Sequence, residues 1–225
     1  MIKHLLEFLR ELEQNNNRDW FQQNKGRYDA LKKGHLAIVQ QLIDRIALFD
    51  EEIAGIEAKD CLFRIYRDIR FSPNKLPYKT HIGAYIAARG GRNSPRSGYY
   101  LHLEAGNSFL SGGLWMPDPK LLKMVRQDIY DHIDEFLAII ENPSFRALYS
   151  TLEGETLKRM PAGFPPDFEH GEILRHKDFC VSTPKPDAFF LADDWIDQAA
   201  ASYKILLPFT RFLNYTVDEY TGNSV

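Results

Sequence analysis

Eighteen consecutive residues, Arg64 to His81, hold three arginines, two lysines, two tyrosines, an aspartate and a histidine. Residues of these types suit the capture of an anion. An arginine stays charged at physiological pH, and its planar fork can donate two parallel hydrogen bonds to a carboxylate or phosphate. Arg64, Arg67 and Arg70 supply that chemistry, Lys75 and Lys79 add point charge, and Tyr78 adds a hydroxyl donor. Asp68 can orient an arginine or serve as a general base, provided no salt bridge already occupies it. From Lys59 to Leu103 nine basic residues face only Asp60 and Asp68, a net of +7 in a chain of net −3. A mildly acidic protein that gathers positive charge in one stretch has the makings of a local anion site. The competing reading is a network of salt bridges that ties a sheet to acidic helices.

Other groups extend the list of candidates. Arg89 to Gly98 reads as an exposed basic loop, able to close over a ligand or touch a phosphate backbone. It lacks the lysine-serine ending of a P-loop and the spacing of a dinucleotide fingerprint. His102 and Glu104 share one face of a strand, and His81 can reach them from a neighbouring one. Three such ligands suit zinc or iron. No local ligand motif supports a metal, however, and the arginines around it would repel a cation, so the histidines are expected to serve as hydrogen-bonding groups, with no metal and no cofactor. No nucleophile elbow occurs, and neither Cys61 nor Cys180 has a catalytic signature. Trp20-Phe21 and Trp115-Met116 are expected to be packing anchors.

These side chains need elements to position them. Apolar residues recur at helical spacing from Tyr28 to Phe49, behind a shorter helix near Ile2 to Leu12 and a cap within Asn15-Asn16-Asn17. The texture then changes to short aromatic and β-branched runs: Leu62 to Tyr66, His81 to Ala88, Tyr99 to Glu104 and Ser108 to Leu114. Tyr99, Leu101 and Leu103 alternate with Tyr100, His102 and Glu104, giving a strand with one polar face. In strand geometry Arg64, Tyr66, Asp68 and Arg70 would share a side, and prolines 73 and 77 would then turn the chain into a rigid loop. Asp118-Pro119 opens a further helix, Ser144 to Leu152 suits another, and a last one begins near Asp194-Trp195 with a kink or break at Pro208. Helices, then strands, then helices predict an α+β fold: one antiparallel sheet packed with amino- and carboxyl-terminal helices, a single domain over 1–225 (helical 1–55, sheet-rich 60–115, helical 118–220).

Composition narrows the class. At 225 residues and 44% hydrophobic content the chain can bury a substantial core. Two cysteines make no disulfide framework, no signal-like segment opens the chain, and no run approaches the roughly 20 apolar residues of a membrane span. A cytoplasmic protein without membrane association is the expectation.

Several of these stretches also occur together in a known family. Asn16-Asn17-Arg18-Asp19-Trp20-Phe21, Phe63 to Ser72, Lys75-Leu76-Pro77-Tyr78-Lys79-Thr80, Gly98 to Glu104, Gly112-Gly113-Leu114-Trp115 and Leu157 to Phe164 resemble the signatures of the family called domain of unknown function 2461. The resemblance spans nearly the whole chain. It implies a cytoplasmic protein of one domain with relatives in bacteria and some fungi, and it implies no activity. Its motifs highlight Arg64, Arg67, Asp68, Arg70, Lys75, Tyr78, Lys79, Tyr100 and His102. The expectation is therefore a small phosphate- or carboxylate-bearing ligand neutralised by Arg64, Arg67, Arg70, Lys75 and Lys79. Tyr78 and Tyr100 would wall the site, with Asp68 and His102 as acid–base candidates should it be catalytic. Two alternatives are a nucleic-acid-binding module built on the Arg89 to Arg96 loop and a scaffold whose patch docks an acidic protein.

Overall fold

Helix α1 (Ile2–Gln14) buries Ile2, Leu5, Leu6, Phe8, Leu9 and Leu12, a stripe that returns every three or four residues and sets one face against the core. The computed structural model describes residues 1–149 and 151–223. Asn17 then caps α2 (Arg18–Gln23) by accepting from the Trp20 amide, and α3 (Lys25–Ile46) follows without a break. A short α4 (Ala58–Cys61) precedes the sheet. Its strands are β1 (His81–Ile86), β2 (Gly98–Glu104), β3 (Ser108–Leu114) and β4 (Phe179–Lys185), antiparallel in the order β1-β2-β3-β4. Between β3 and β4 run α5 (Pro119–Asp131), α6 (Ile133–Ile140), α7 (Pro143–Tyr149) and α8 (Gly171–Leu174), and α9 (Trp195–Thr221) closes the fold. The fold is α+β, as the order of textures predicts. Ser150, inside the helix expected over 144–152, lies outside the described residues.

Alternation divides the sheet cleanly. Ile82, Ala84, Ile86, Tyr99, Leu101, Leu103, Leu110 and Val181 are buried on one face, and α9 lies against it through Tyr203 and Leu206. The opposite face carries His81, Tyr85, Tyr100, His102, Glu104 and Phe109, in keeping with the period of two. Asp118 caps α5 with Pro119 in its first turn. Helix α9 is one continuous helix through Pro208, so of the kink or break expected there the break does not occur. Losing a backbone hydrogen bond at proline costs about 3 kcal/mol, and the fully buried Leu206, Phe209 and Leu213 on either side offset it.

One backbone position leaves no choice of residue. Gly113 has φ 127, and a Cβ there would overlap the Phe179 carbonyl across the β3–β4 pair. Gly113→Ala should therefore lower stability by at least the ~1–3 kcal/mol typical of a strained backbone. A thermal midpoint equal to that of the parent would refute it.

His35, on the buried side of α3, has an Nε2 without a partner among the described residues, and burial pushes its pKa down to about 4. Between its ordinary value of 6.5 and about 4 the unfolded chain takes up a proton that the folded protein refuses. Stability contributed by the neutral ring is present above pH 6.5 and is lost as pH falls through that window. His35→Leu should flatten this part of the stability–pH curve, and urea unfolding between pH 4 and 7 reads it.

Candidate functional site

The stretch from Leu62 to Arg70 is not the strand its aromatic content predicts, whereas the prolines that follow do lie in a loop, and Leu62 to Thr80 forms one irregular segment. It makes single bridges only, Leu62 with Ala84 on β1 and Tyr66 with Tyr78. The Phe63 amide donates to the Gly83 carbonyl at 3.1 Å, after which the chain turns back on itself: Arg67 N–H donates to the Pro77 carbonyl and Lys79 N–H to that of Ile65. Its prolines remove donors that a ladder would need, so the segment becomes a loop folded beside β1. Two anchors hold it. Ile65 is buried in the core, and Tyr78 stacks on Phe21 with ring centroids 4.0 Å apart. Asn16 adds a clamp, its amide nitrogen donating to the Tyr78 carbonyl at 3.0 Å while its oxygen accepts from the Tyr78 amide at 3.1 Å.

The nine basic residues separate into two groups. Lys59 pairs with Glu57, Arg70 forks onto Asp68 at 2.7 and 3.0 Å, and Lys75 donates to the Ile69 carbonyl. Arg92 donates to the Lys59 and Asp60 carbonyls, and Arg89 and Arg96 both bind Asp218. The Arg89 to Arg96 stretch is thus bound to the fold and not the free basic loop that its composition predicts. Arg64, Arg67 and Lys79 are the exceptions, with no carboxylate partner among the described residues; Arg67 reaches only the Ser72 hydroxyl, at 3.5 Å. Burial, and then the charge of Arg64, lowers the pKa of Lys79, whose ammonium sits 5.4 Å over the Phe63 ring. The Arg70 fork keeps the Asp68 carboxyl below its usual range, so Asp68 is occupied in the way that argues against a base.

Next to these cations lies the polar face of β1 and β2. Register sets His81 opposite Glu104, Gly83 opposite His102 and Tyr85 opposite Tyr100. His102 is 7% exposed, sandwiched between Phe109 and His81 with centroids 4.3 Å from each. Its Nδ1 shares a 3.0 Å hydrogen bond with the Tyr100 hydroxyl. Glu104 accepts from the Thr80 hydroxyl at 2.6 Å and from the Asn107 amide at 2.8 Å. Burial opposes ionisation of Glu104, but these hydrogen bonds outweigh it and its pKa is lowered. Burial, then the neighbouring His102, brings His81 down to about 4, and burial also lowers His102, so both rings are neutral at pH 7. Burial raises the Tyr100 hydroxyl to about 12 and raises that of Tyr78 as well.

A cleft of about 550 Å³ opens at the other side of the loop, lined by Arg18, Tyr66, Arg67, Pro77 and Tyr78. Arg67 connects the two regions, lining the cleft and also acting electrostatically on His81. The structure thus gathers Arg64, Arg67, Tyr78, Lys79, Tyr100 and His102 around one loop and one sheet face. Arg70 and Lys75 it leaves exposed in local contacts.

A family model described as conserved hypothetical protein (DUF2461) matches residues 4–212. The chain belongs to DUF2461. No curated protein and no solved structure matches it. The DUF2461 match takes in the whole loop, the clamp at Asn16 and the β1–β2 face.

Within this DUF2461 chain, Arg18, Phe63 and Thr80 also stand at the site, although in the sequence they are marked only as parts of longer motifs. Arg18 had a signal, since it lies between the capping asparagine and Trp20-Phe21, but its proximity to Tyr78 depends on a long-range fold. Trp115 and Met116 differ from expectation too: at 71% and 69% exposed they are not packing anchors. Phe21, by contrast, is buried as expected. Among the described residues no helix is long and apolar enough to cross a membrane.

Proposed function

We propose that the protein binds a small phosphate- or carboxylate-bearing ligand at Arg64, Arg67 and Lys79, with Tyr100 as a hydrogen-bonding wall and His102 beside it, and with Tyr78 lining the cleft that Arg67 shares. One observation carries this reading. Six of the nine basic residues in the segment are held by salt bridges or backbone carbonyls, whereas among the described residues Arg64, Arg67 and Lys79 have no carboxylate in direct contact, Arg64 acts on Lys79, and Lys79 and Arg67 both act on His81. Like charges gathered without a counter-ion destabilise one another, and a bound anion relieves that repulsion. Arg70 and Lys75 are left out of the binding set because Asp68 and the Ile69 carbonyl already engage them.

A nucleic acid is a weaker fit, since Arg89, Arg92 and Arg96 are engaged by Asp218, Glu52 and backbone carbonyls. Thermal unfolding against inorganic phosphate, sugar phosphates, nucleotides, dicarboxylates and short oligonucleotides tests the reading. A ligand at 100 times its dissociation constant adds about 2.7 kcal/mol to stability, and a selective rise with one class of small anion is the expected result. No rise with any of them would remove the proposal. A rise with oligonucleotides alone, collapsing as salt is added, would replace it with the nucleic-acid reading.

A further inference from the structure

Two imidazoles and a carboxylate meet on the polar face of β1 and β2. One ligand atom from each of His81, His102 and Glu104 lies within 4.8 Å of the other two. His102 Nε2 is 3.5 Å from Glu104 Oε2, close to the ~3.4 Å that separates two ligand atoms of a tetrahedral ion with bonds near 2.1 Å.

Three further observations point at an ion rather than a set of hydrogen bonds. His102 Nε2 is buried and has no well-directed hydrogen bond among the described residues, its near neighbour being the Glu104 carboxylate at 3.5 Å, a costly state for a polar atom and one that a metal would relieve. The outer groups are arranged as metal ligands require. Tyr100 Oη engages the other nitrogen of His102, and with Nδ1–H donating to it the Nε2 lone pair is free for an ion. Thr80 and Asn107 each fix one oxygen of Glu104. Finally, Gly83 sits opposite His102, and a Cβ there would lie 2.5 Å from the Tyr100 hydroxyl. The missing side chain is what lets Tyr100 reach its partner.

We propose that His81, His102 and Glu104 hold a divalent first-row transition metal ion, zinc or ferrous iron, with Tyr100, Thr80 and Asn107 orienting the ligands. Two neutral imidazoles and one carboxylate are a donor set used for both metals, and three protein ligands leave at least one position open. Arg67 and Lys79 oppose a bare dication, as both already act on His81. They favour an anion in the open position, a last step that rests on the anion reading above, whereas the metal site itself does not.

The test is titration of chelator-stripped protein with cobalt(II), followed by its visible absorption, with zinc by calorimetry and with ferrous iron under anaerobic conditions. One equivalent of at least one of these ions is expected to bind. His102→Ala and Glu104→Gln should each weaken that binding at least about 100-fold, and Tyr100→Phe about 10- to 100-fold. His132→Ala, on an exposed histidine far along the chain, should leave it unchanged, and far-UV circular dichroism of each variant confirms folding. Absence of one-equivalent binding, or its persistence in folded His102→Ala, overturns the proposal. Lys79→Ala separates the two readings, since it should abolish anion binding but not cobalt binding without added anion.

Discussion

Replacing Arg96 by alanine is expected to destabilise the protein by about 3–5 kcal/mol, the range for breaking a buried ion pair. Arg96 is 3% exposed. One of its terminal nitrogens donates to both Asp218 oxygens at 2.6 and 2.7 Å, and the other donates to Glu52 at 2.5 Å. Without the guanidinium, Asp218 keeps only the half-exposed Arg89 at 3.2 Å, and a largely buried carboxylate is left undercompensated. Arg96→Lys should recover only a fraction, since an ammonium cannot hold two carboxylates through a planar fork. Urea unfolding at pH 7 measures both. A loss below about 1 kcal/mol, the scale of a surface pair, would mean that the loop is not secured in this way.

The second large effect concerns the three cations that have no carboxylate in direct contact among the described residues. Lys79→Ala and Arg64→Ala should each weaken binding of the anion found by thermal unfolding by about 10- to 100-fold, because a hydrogen bond to a charged group is worth about 1.5–3 kcal/mol. Neither should reduce stability appreciably, since each removes a cation from beside another. Arg70→Ala is the informative comparison. Its fork is already on Asp68, exposed to solvent, and the substitution should change affinity by no more than about twofold. Calorimetric titration of the three variants decides the matter: a large loss in Arg70→Ala with wild-type affinity in Lys79→Ala would place the ligand elsewhere.

Much of the frame was legible from local patterns. The stripe of α3, the alternation of Tyr99 to Glu104, the span of β3 and the Asp118-Pro119 opening all depend on residues a few positions apart, and periodicity records such neighbours. The loop from Leu62 to Thr80 was harder, because aromatic and β-branched residues favour any half-buried extended chain, whether or not a ladder forms. Charges misled for a different reason. Arg96 looks free in the sequence because its partners stand 44 and 122 positions away, and Arg67 and Arg70 look alike until Asp68 is seen to take only one of them. The meeting of His81 with His102 and Glu104 was open to view, since the period of two puts them on the polar faces of neighbouring strands, and the register fixes it by setting His81 opposite Glu104.

Asn16 gives the architecture a chemical weak point. Its clamp on Tyr78 works because one end of the amide donates and the other accepts, so a single side chain stands in for a strand. Hydrolysis of that amide to a carboxylate would keep the shape and lose the donor, setting a negative oxygen against the Tyr78 carbonyl. A change of one atom in the turn after α1, of the kind that accumulates as proteins age, would thereby loosen the residue next to Lys79 while the helices and the sheet stayed as they are.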